Sequence, residues 1–188
     1  MIEQDLSSEF GVSRSVIRGV IADLEAQGMV DKRRNRGTVV CKIYRESLFE
    51  ILEIREVLEG LSARLAAQKS KAKNWKDLEK KFGEPCEQMA KNRNYEEYLA
   101  LITELRKRTV EAAQNMELSK LIDSIYAKIR IVQRRIIILP GRIEQDIKEH
   151  REVIKAIMEG DPIRAENMKR SNLRSAREYL KKYEKWVL

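Results

Sequence analysis

Four residues whose side chains suit contacts with DNA open a predicted helix near the N-terminus: Ser13, Arg14, Ser15 and Arg18. The two arginines are four positions apart and therefore share one face of the helix. An α-helix fits the major groove of B-DNA, where the side chains of its first turns reach the base edges. The arrangement predicts a DNA-recognising helix, although an isolated pair of arginines would also suit a solvated helix face.

A basic hairpin follows this helix. Short runs of apolar and β-branched residues predict two strands, Met29–Lys32 and Thr38–Lys42, on either side of a turn. Gly37 lies at the turn, where we expect a positive φ angle. The arginines of the turn, which can neutralise phosphates or enter a minor groove, are Arg33, Arg34 and Arg36. An ordinary surface turn is the alternative. The presence of the basic hairpin directly after the arginine-bearing helix favours DNA recognition.

The surrounding residues predict a small scaffold for these side chains. Asp5–Phe10 ends a first short helix, Gly11 breaks it, and Ser13 is a good N-cap for a second helix with helical periodicity over Ser15–Ala26. Gly28 then stops this second helix. Its apolar stripe, which we expect to face the core of the head, consists of Val16, Ile17, Val20, Ile21 and Leu24.

From Glu46 onward the periodicity predicts only helices. Asp161 followed by Pro162, a capping residue and a first-turn proline, is a strong start signal for the last of them. The predicted helices span 47–69, 75–91 with a break allowed at 83–85, 95–114, 118–138, 142–159 and 162–185. The fold class is therefore mainly α, with a winged helix-turn-helix head at residues 1–43 and an all-helical domain at residues 46–188.

Composition agrees with this division and excludes several classes of protein. The 188 residues include 36% charged residues and only 8 Gly and 3 Pro, which disfavours an all-β fold, and the net charge of +8 favours a polyanionic partner. Cys41 and Cys86 are isolated, so we expect neither a zinc site nor a disulfide. No apolar run is long enough for a membrane span and the N-terminus resembles no secretory signal, so we expect a cytoplasmic protein without a membrane partner.

Catalytic motifs are missing from the sequence. It contains no nucleophile elbow, no P-loop and no Cys/His pair, and His150 is its only histidine. We therefore expect a binding protein and not an enzyme.

The segment DLSSEFGVSRSVIRGVIADLEAQGMVDKRRNRGTVV resembles the winged-helix head of GntR-type transcription regulators. The resemblance implies that Arg14 and Arg18 contact DNA from the recognition helix and that Arg36 and Gly37 act at the tip of the wing. Heads of this family usually open with a further helix and a short strand, which the sequence as given does not include. Since such a head buries less apolar surface, we expect weaker or absent DNA binding by the 188-residue chain.

The helical part resembles the C-terminal domain of the FadR-type branch, called FCD. Three segments carry this resemblance in the right order: FEILEIREVLEGLSARLAA, AAQNMELSKLID and EHREVIKAIMEGDPIRAENMKRSNL. The resemblance implies an antiparallel bundle of six or seven helices around a central effector pocket. It also implies a homodimer that presents two heads to a pseudo-palindromic operator, and repression that a small-molecule effector relieves.

Many members of this branch hold a divalent metal in the pocket with one Asp and three His. By resemblance, these ligand positions fall on Ile102, Arg106, His150 and Asn172, and only His150 keeps the ligand type. The first two positions are i and i+4 on one helix, and the last two lie at similar distances from Asp161 on either side of a hairpin, so the four can converge. Ile cannot ligate a metal and Arg brings a permanent positive charge, so we expect no metal cofactor.

A guanidinium can hold a carboxylate in bidentate fashion without a cation. We therefore expect Arg106 to bind an organic acid, with hydrogen bonds from His150 and Asn172. The alternatives are a buried salt bridge from Arg106 to a glutamate, a core or capping role for His150, and half a metal site made by Asp146 and His150.

Other basic residues are expected on solvated helix faces, namely Arg130, Arg134, Arg135, Arg142, Lys181, Lys182 and Lys185. Two alternatives remain for the whole chain. One is a dimeric helical adaptor that binds protein, and the other is a degenerate regulator that dimerises without sensing an effector.

Overall fold

A computed structural model of the chain describes residues 3–26, 30–33, 37–40 and 45–187. Two helices and a two-stranded antiparallel hairpin form the N-terminal head. They are α1 (Glu3–Phe10), α2 (Arg14–Ala26), β1 (Val30–Arg33) and β2 (Gly37–Val40). The hairpin pairs Val30 with Val40 and Arg33 with Gly37, and Gly37 has the expected positive φ, at 64°. The head therefore has the predicted order of helix, turn, helix and wing.

One side of α2 packs inside the head. Ile17 and Ile21 are buried together with Val30 of β1, and Leu6 and Leu24 pack partly against them. The prediction that Val16 and Val20 also face this core is wrong, because their side chains are 51% and 50% exposed. Within the described residues, α1 and the hairpin cover only the side of α2 that carries the two isoleucines.

The remaining described residues form helices joined by short turns. Ala72–Asn74 is a single 3-10 turn. The helices are α3 (Arg45–Lys69), α4 (Lys76–Lys81), α5 (Glu84–Lys91), α6 (Tyr95–Ala112), α7 (Met116–Ile137), α8 (Arg142–Met158), α9 (Pro162–Lys182) and α10 (Glu184–Val187). The break allowed at residues 83–85 is present, since the segment 75–91 is divided into α4 and α5 around Gly83.

Local sequence explains where the long helices begin. The side chain of Asp161 accepts a hydrogen bond from the backbone N–H of Arg164 at 3.0 Å, and Pro162 occupies the first turn of α9. This confirms the predicted start signal. Asn115 caps α7 in the same way through Leu118 N–H. Gly141 precedes α8 in the left-handed conformation, with φ at 74°, which favours glycine.

Helix α3 forms the centre of the helical domain and packs most extensively along α9. The residues that it buries include Leu48, Leu52, Ala63 and Ala66. The leucines Leu58, Leu61 and Leu65 lie on another side of α3, where they are only partly buried against α6 and α7. The conspicuous leucine stripe of α3 is thus not its most buried face.

Within the described ranges, no helix combines the length and the apolar character that crossing a bilayer requires.

Candidate functional site

A small internal cavity lies at the centre of the helical domain. Its volume is about 40 Å³, and its lining comes from α3, α6, α7, α8 and α9. All four residues that the sequence placed in a pocket line this cavity, namely Ile102, Arg106, His150 and Asn172. The α6 pair and the α8–α9 pair therefore do converge on one space.

The lining of the cavity is unusually rich in charged groups for the interior of a helical domain. It contains three guanidinium groups, one lysine amine and two carboxylates, and all six residues are buried. The cations are Arg55, Arg106, Arg142 and Lys169, and the carboxylates are Glu59 and Asp146. A charge is costly to bury without a partner, so each of these cations needs an anion or another favourable contact close to it.

Arg106 contacts α7. It is only 9% exposed, its guanidinium carbon lies 3.6 Å from the centre of the Tyr126 ring, and Nη1 lies 3.2 Å from Asp123 Oδ1. The Asp123 side chain is 62% exposed, so this is not the fully buried ion pair with a glutamate that the sequence left open as an alternative. Arg106 Nε is buried and has no hydrogen-bond partner among the described residues.

Asp146 is the hydrogen-bond acceptor at the centre of the site. It accepts from the hydroxyl of Tyr98 and from the amide of Asn172, each at 2.8 Å, and from the guanidinium of Arg142. Burial would raise the pKa of the Asp146 carboxyl, but the charge and hydrogen bond of His150, together with Arg142 and Tyr98, hold it well below its ordinary value. Asp146 is therefore a fixed negative charge.

His150 lies between this carboxylate and an aromatic ring. Its Nε2 is 3.5 Å from Asp146 Oδ2, and its ring meets Phe82 edge-on with centroids 5.5 Å apart. Nδ1 is buried and lacks a hydrogen-bond partner in the described part of the chain. The imidazole thus has one nitrogen committed to Asp146 and one that could accept a further contact.

Asn172 has less freedom than the sequence suggested. Its Nδ2 donates to Asp146 Oδ1 at 2.8 Å and to Glu149 Oε2 at 2.9 Å. Both amide hydrogens are therefore used inside the protein, and the amide oxygen is the group that Asn172 can offer to a ligand.

The expectation that Arg142 lies on a solvated helix face is wrong. Its side chain is 2% exposed and donates to Asp146, to Glu149 Oε2 at 3.0 Å and to Ser175 Oγ at 2.9 Å. Its guanidinium carbon also lies 5.3 Å from the centre of the Tyr179 ring. The periodicity of α8 predicts the face of the helix on which Arg142 lies. It does not predict that α9 covers this face with a hydrogen-bond acceptor and an aromatic ring.

A second buried charge cluster, which the sequence analysis did not find, lies at the α3 side of the cavity. Arg55 Nε donates to Glu59 Oε1 at 2.5 Å, and Lys169 Nζ lies 2.9 Å from Glu59 Oε2. Burial raises the pKa of Glu59, but Arg55 and Lys169 lower it more, to about 2. The sequence does contain an indication of this cluster. Arg55 and Glu59 follow Leu48 and Leu52 at spacings of three and four positions, so they lie on the same face of α3.

The residues of the cavity do not fit a divalent cation. Ile102 has no atom that can ligate a metal, and Arg106 places a positive charge at the second of the four ligand positions. The Asp146 oxygens already accept from Arg142, Tyr98 and Asn172. The described residues contain no group of three or more His, Cys, Asp or Glu side chains that could hold a metal. Asp146 and His150 are close together, but they supply too few donors.

In the head, the predicted DNA-contacting residues at the start of α2 are exposed. Ser13 caps the helix, since its Oγ accepts from Val16 N–H at 3.4 Å, and its hydroxyl lies 2.8 Å from that of Ser15. Arg14 projects from the first turn, and Arg18 Nε donates to Glu3 Oε2 of α1 at 3.2 Å. Arg34, Arg36 and the side chain of Arg33 lie outside the described residues, as does Cys41.

Two family profiles match the chain. The profile described as "FCD domain" matches residues 50–175, and "Bacterial regulatory proteins, gntR family" matches residues 1–40. The first match alone covers well over half of the chain.

Individual relatives and solved structures agree with these profiles. The chain is 26% identical over 167 residues to a "Probable D-xylose utilization operon transcriptional repressor" of Paenarthrobacter nicotinovorans, covering 88% of the chain and 72% of that protein. It is 26% identical over 172 residues to the "Uxu operon regulator" of Haemophilus influenzae, covering 82% and 63%. The fold resembles McbR/YncC of E. coli, with a TM-score of 0.82, 15% identity and coverage of 98% and 87%. It also resembles Lar of Listeria monocytogenes, with a TM-score of 0.68, 19% identity and coverage of 97% and 86%.

Proposed function

This chain belongs to the gntR family of bacterial regulatory proteins and carries the FCD domain of that family, and we propose that it is a dimeric repressor whose helical domain binds a small organic acid without a metal ion. The family matches and the named relatives directly support the coarser part of this statement. The chain is a DNA-binding transcriptional regulator and not an enzyme. Its site of action is then the bacterial cytoplasm, where the chromosome lies. The sign of regulation follows the relative from Paenarthrobacter nicotinovorans, which is named as a repressor.

The observation that carries the effector proposal is the weak neutralisation of Arg106. Four buried cations and two buried carboxylates line the cavity, and Glu149 and Asp123 beside it supply two further carboxylates. Glu59 is already shared by Arg55 and Lys169, and Asp146 binds Arg142. Arg106 is left with the exposed Asp123 as its only ion-pair partner among the described residues. A carboxylate that entered the cavity would therefore meet an under-neutralised guanidinium in a site of low dielectric constant.

Calorimetric titration with organic acids, in a buffer containing a chelator, tests the effector proposal. The panel should contain acetate, butyrate, benzoate, gluconate, succinate and citrate. We expect at least one acid to bind the wild-type chain and Arg106→Gln to weaken that binding by about tenfold or more, since glutamine cannot form the charge-assisted bidentate pair. Arg164→Gln is the matched control, because Arg164 lines neither this cavity nor its surroundings, pairs with Glu152 and Glu159 and should leave binding unchanged.

A metal-dependent pocket would give a different result. Stoichiometric binding of zinc or nickel that disappears in His150→Ala would overturn the metal-free proposal. If no acid of the panel binds and none shifts the melting temperature, the domain is a degenerate dimerisation module, and the effector part of the proposal fails.

The dimer proposal rests on an apolar surface of the helical domain. Ile54 and Val57 of α3 and Leu121 of α7 are each about half exposed, next to the partly buried leucine stripe of α3. A second copy of the chain would cover this surface. Ile54→Glu combined with Leu121→Glu should convert a dimer into a monomer in light scattering after size exclusion. Ile163→Glu is the control, because Ile163 is equally exposed on α9. A monomeric wild type would contradict the dimer proposal.

The DNA proposal can be tested without knowledge of the operator. We expect selection from random-sequence duplexes to enrich an inverted repeat whose half-sites match two heads of a dimer. The affinity should fall steeply with salt, because phosphate contacts release counterions. An acid from the effector panel that binds the chain should release the selected duplex. Binding that is independent of salt would favour the alternative of a protein-binding helical adaptor.

A further inference from the structure

We propose that the surface groove between α6 and α7 is an anion-binding vestibule of the inner cavity, so that the effector is an elongated dianion held at both ends. The inner end binds Arg106, and in this respect the inference rests on the proposed function. The outer end binds Lys107 and Arg130, which do not line the inner cavity. Size, connection and charge each support this assignment.

The inner cavity alone is too small for a metabolite. Its volume is about 40 Å³, and one buried water needs about 10–15 Å³ measured in this way. It therefore has room for a few non-hydrogen atoms, such as a carboxylate group. The groove measures about 540 Å³, which lies within the roughly 300–1,000 Å³ of typical ligand pockets. An effector that reaches Arg106 must leave most of its atoms in the groove.

The two spaces share a wall that consists of side chains. Arg106, Tyr126 and Gln133 line both the cavity and the groove. The Tyr126 hydroxyl lies 3.2 Å from Gln133 Oε1, to which it donates, and the guanidinium of Arg106 stacks on the Tyr126 ring. Rotation of these side chains can join the two spaces without moving a helix, and Arg106 can then contact a ligand from either side.

The groove carries cations that are not neutralised within the described residues. Its lining contains Lys107, Arg130 and Arg134, in addition to Arg106, and a single carboxylate, Glu96. Glu96 Oε1 is paired with Arg134 at 2.7 Å. Neither Lys107 nor Arg130 forms an ion pair with any described residue. Two exposed cations thus line the groove together with Arg106, and they would hold a second anionic group.

Matched pairs of acids separate the vestibule from the inner site. We would titrate the full chain with the dicarboxylates succinate, glutarate, adipate and suberate, and with butyrate, valerate, hexanoate and octanoate as monocarboxylates of equal chain length. We expect the best dicarboxylate to bind about tenfold more tightly than its monocarboxylate partner, because its second carboxylate forms a further charge-assisted pair. The double variant Lys107→Gln/Arg130→Gln should remove this advantage and leave the monocarboxylate affinity unchanged.

Lys120→Gln is the control for the removal of a positive charge from α7, since Lys120 is exposed outside the groove and pairs with Glu117. The two groove residues are exposed, so their replacement should not impair folding. Equal affinities for both members of every pair, with both lost in Arg106→Gln, would overturn the vestibule while the proposed function stands. Dicarboxylate binding that survives in Arg106→Gln would overturn the link between the two spaces, and the absence of binding by any acid would overturn both proposals.

Discussion

The guanidinium carbon of Arg106 lies 3.6 Å from the centre of the Tyr126 ring, at the boundary between the inner cavity and the surface groove. This stacking explains how a positive charge can remain buried with only an exposed aspartate as its ion-pair partner in the described structure. The face of the ring carries partial negative charge and replaces part of the missing hydration. The same arrangement leaves the polar edge of the guanidinium available to a carboxylate.

Two substitutions of Tyr126 distinguish the contribution of its ring to stability from that of its hydroxyl. We expect Tyr126→Leu to lower the free energy of unfolding by about 1.5–3 kcal/mol, because leucine forms neither the cation–π interaction with Arg106 nor the hydrogen bond to Gln133. Tyr126→Phe keeps the ring and removes only the hydrogen bond to Gln133, so its cost should be about 0.5–1.5 kcal/mol. Urea denaturation of the two variants and of the wild type measures both values. A larger decrease for the Phe variant would contradict the importance of the ring.

Removal of Arg142 should be the most damaging substitution in the cavity. Arg142→Met leaves Asp146 and Glu149 without the cation that they share, and breaking a buried ion pair costs about 3–5 kcal/mol. The matched control is Arg134→Met, which breaks an exposed pair with Glu96 and should cost less than about 1 kcal/mol. Urea midpoints compare the two, and similar midpoints would show that Arg142 does not stabilise the cavity.

The buried carboxylates predict a loss of stability in acid. Because Arg55 and Lys169 lower the pKa of Glu59 from 4.5 to about 2, the folded state keeps this group ionised at pH values where the unfolded chain takes up a proton. The resulting stabilisation is complete above about pH 5 and is lost as the pH falls towards the folded pKa of about 2. The lowered pKa of Asp146 acts in the same direction.

Urea midpoints measured across this acid range test the assignment to Glu59. Glu59→Gln should have a lower midpoint than the wild type at neutral pH, since Arg55 and Lys169 lose their partner. Its midpoint should then fall less steeply between about pH 5 and pH 2. Parallel curves for the two proteins would assign the acid sensitivity to other groups, Asp146 first among them.

Periodicity and capping residues were sufficient to predict the helices and the hairpin of the head, and the resemblance to the FCD domain placed Ile102, Arg106, His150 and Asn172 in one pocket. They were not sufficient to predict burial, as Arg142 and Val16 show in opposite directions. A periodic pattern gives the face on which a residue lies, but another element decides whether that face is covered. Arg142 is covered because α9 supplies Ser175 and Tyr179, more than thirty positions away in the chain.

The two arginines predicted to contact DNA should differ from the other side chains of the head in the salt dependence of binding. Arg14 and Arg18 are exposed at the start of α2. Arg18→Ala and Arg14→Ala should each weaken binding to the selected duplex. If each arginine neutralises one phosphate, each variant should also reduce the slope of log affinity against log salt by about 1. Fluorescence anisotropy at several salt concentrations measures both quantities, and unchanged slopes would place these arginines away from the phosphates.

The ion pair between Arg18 and Glu3 offers a test of the DNA-contacting role of Arg18, because its removal is expected to improve DNA binding. Glu3 of α1 accepts from Arg18 Nε at 3.2 Å, and the Arg18 side chain remains largely exposed. If Arg18 contacts DNA as predicted, this ion pair competes with the DNA for its guanidinium. We therefore expect Glu3→Gln to bind the selected duplex a few-fold more tightly than the wild type, because an exposed ion pair contributes up to about 1 kcal/mol. Glu9→Gln is the control, since it removes a negative charge from the other end of α1. Tighter binding by Glu9→Gln to the same extent would show that the gain reflects net charge and not the release of Arg18.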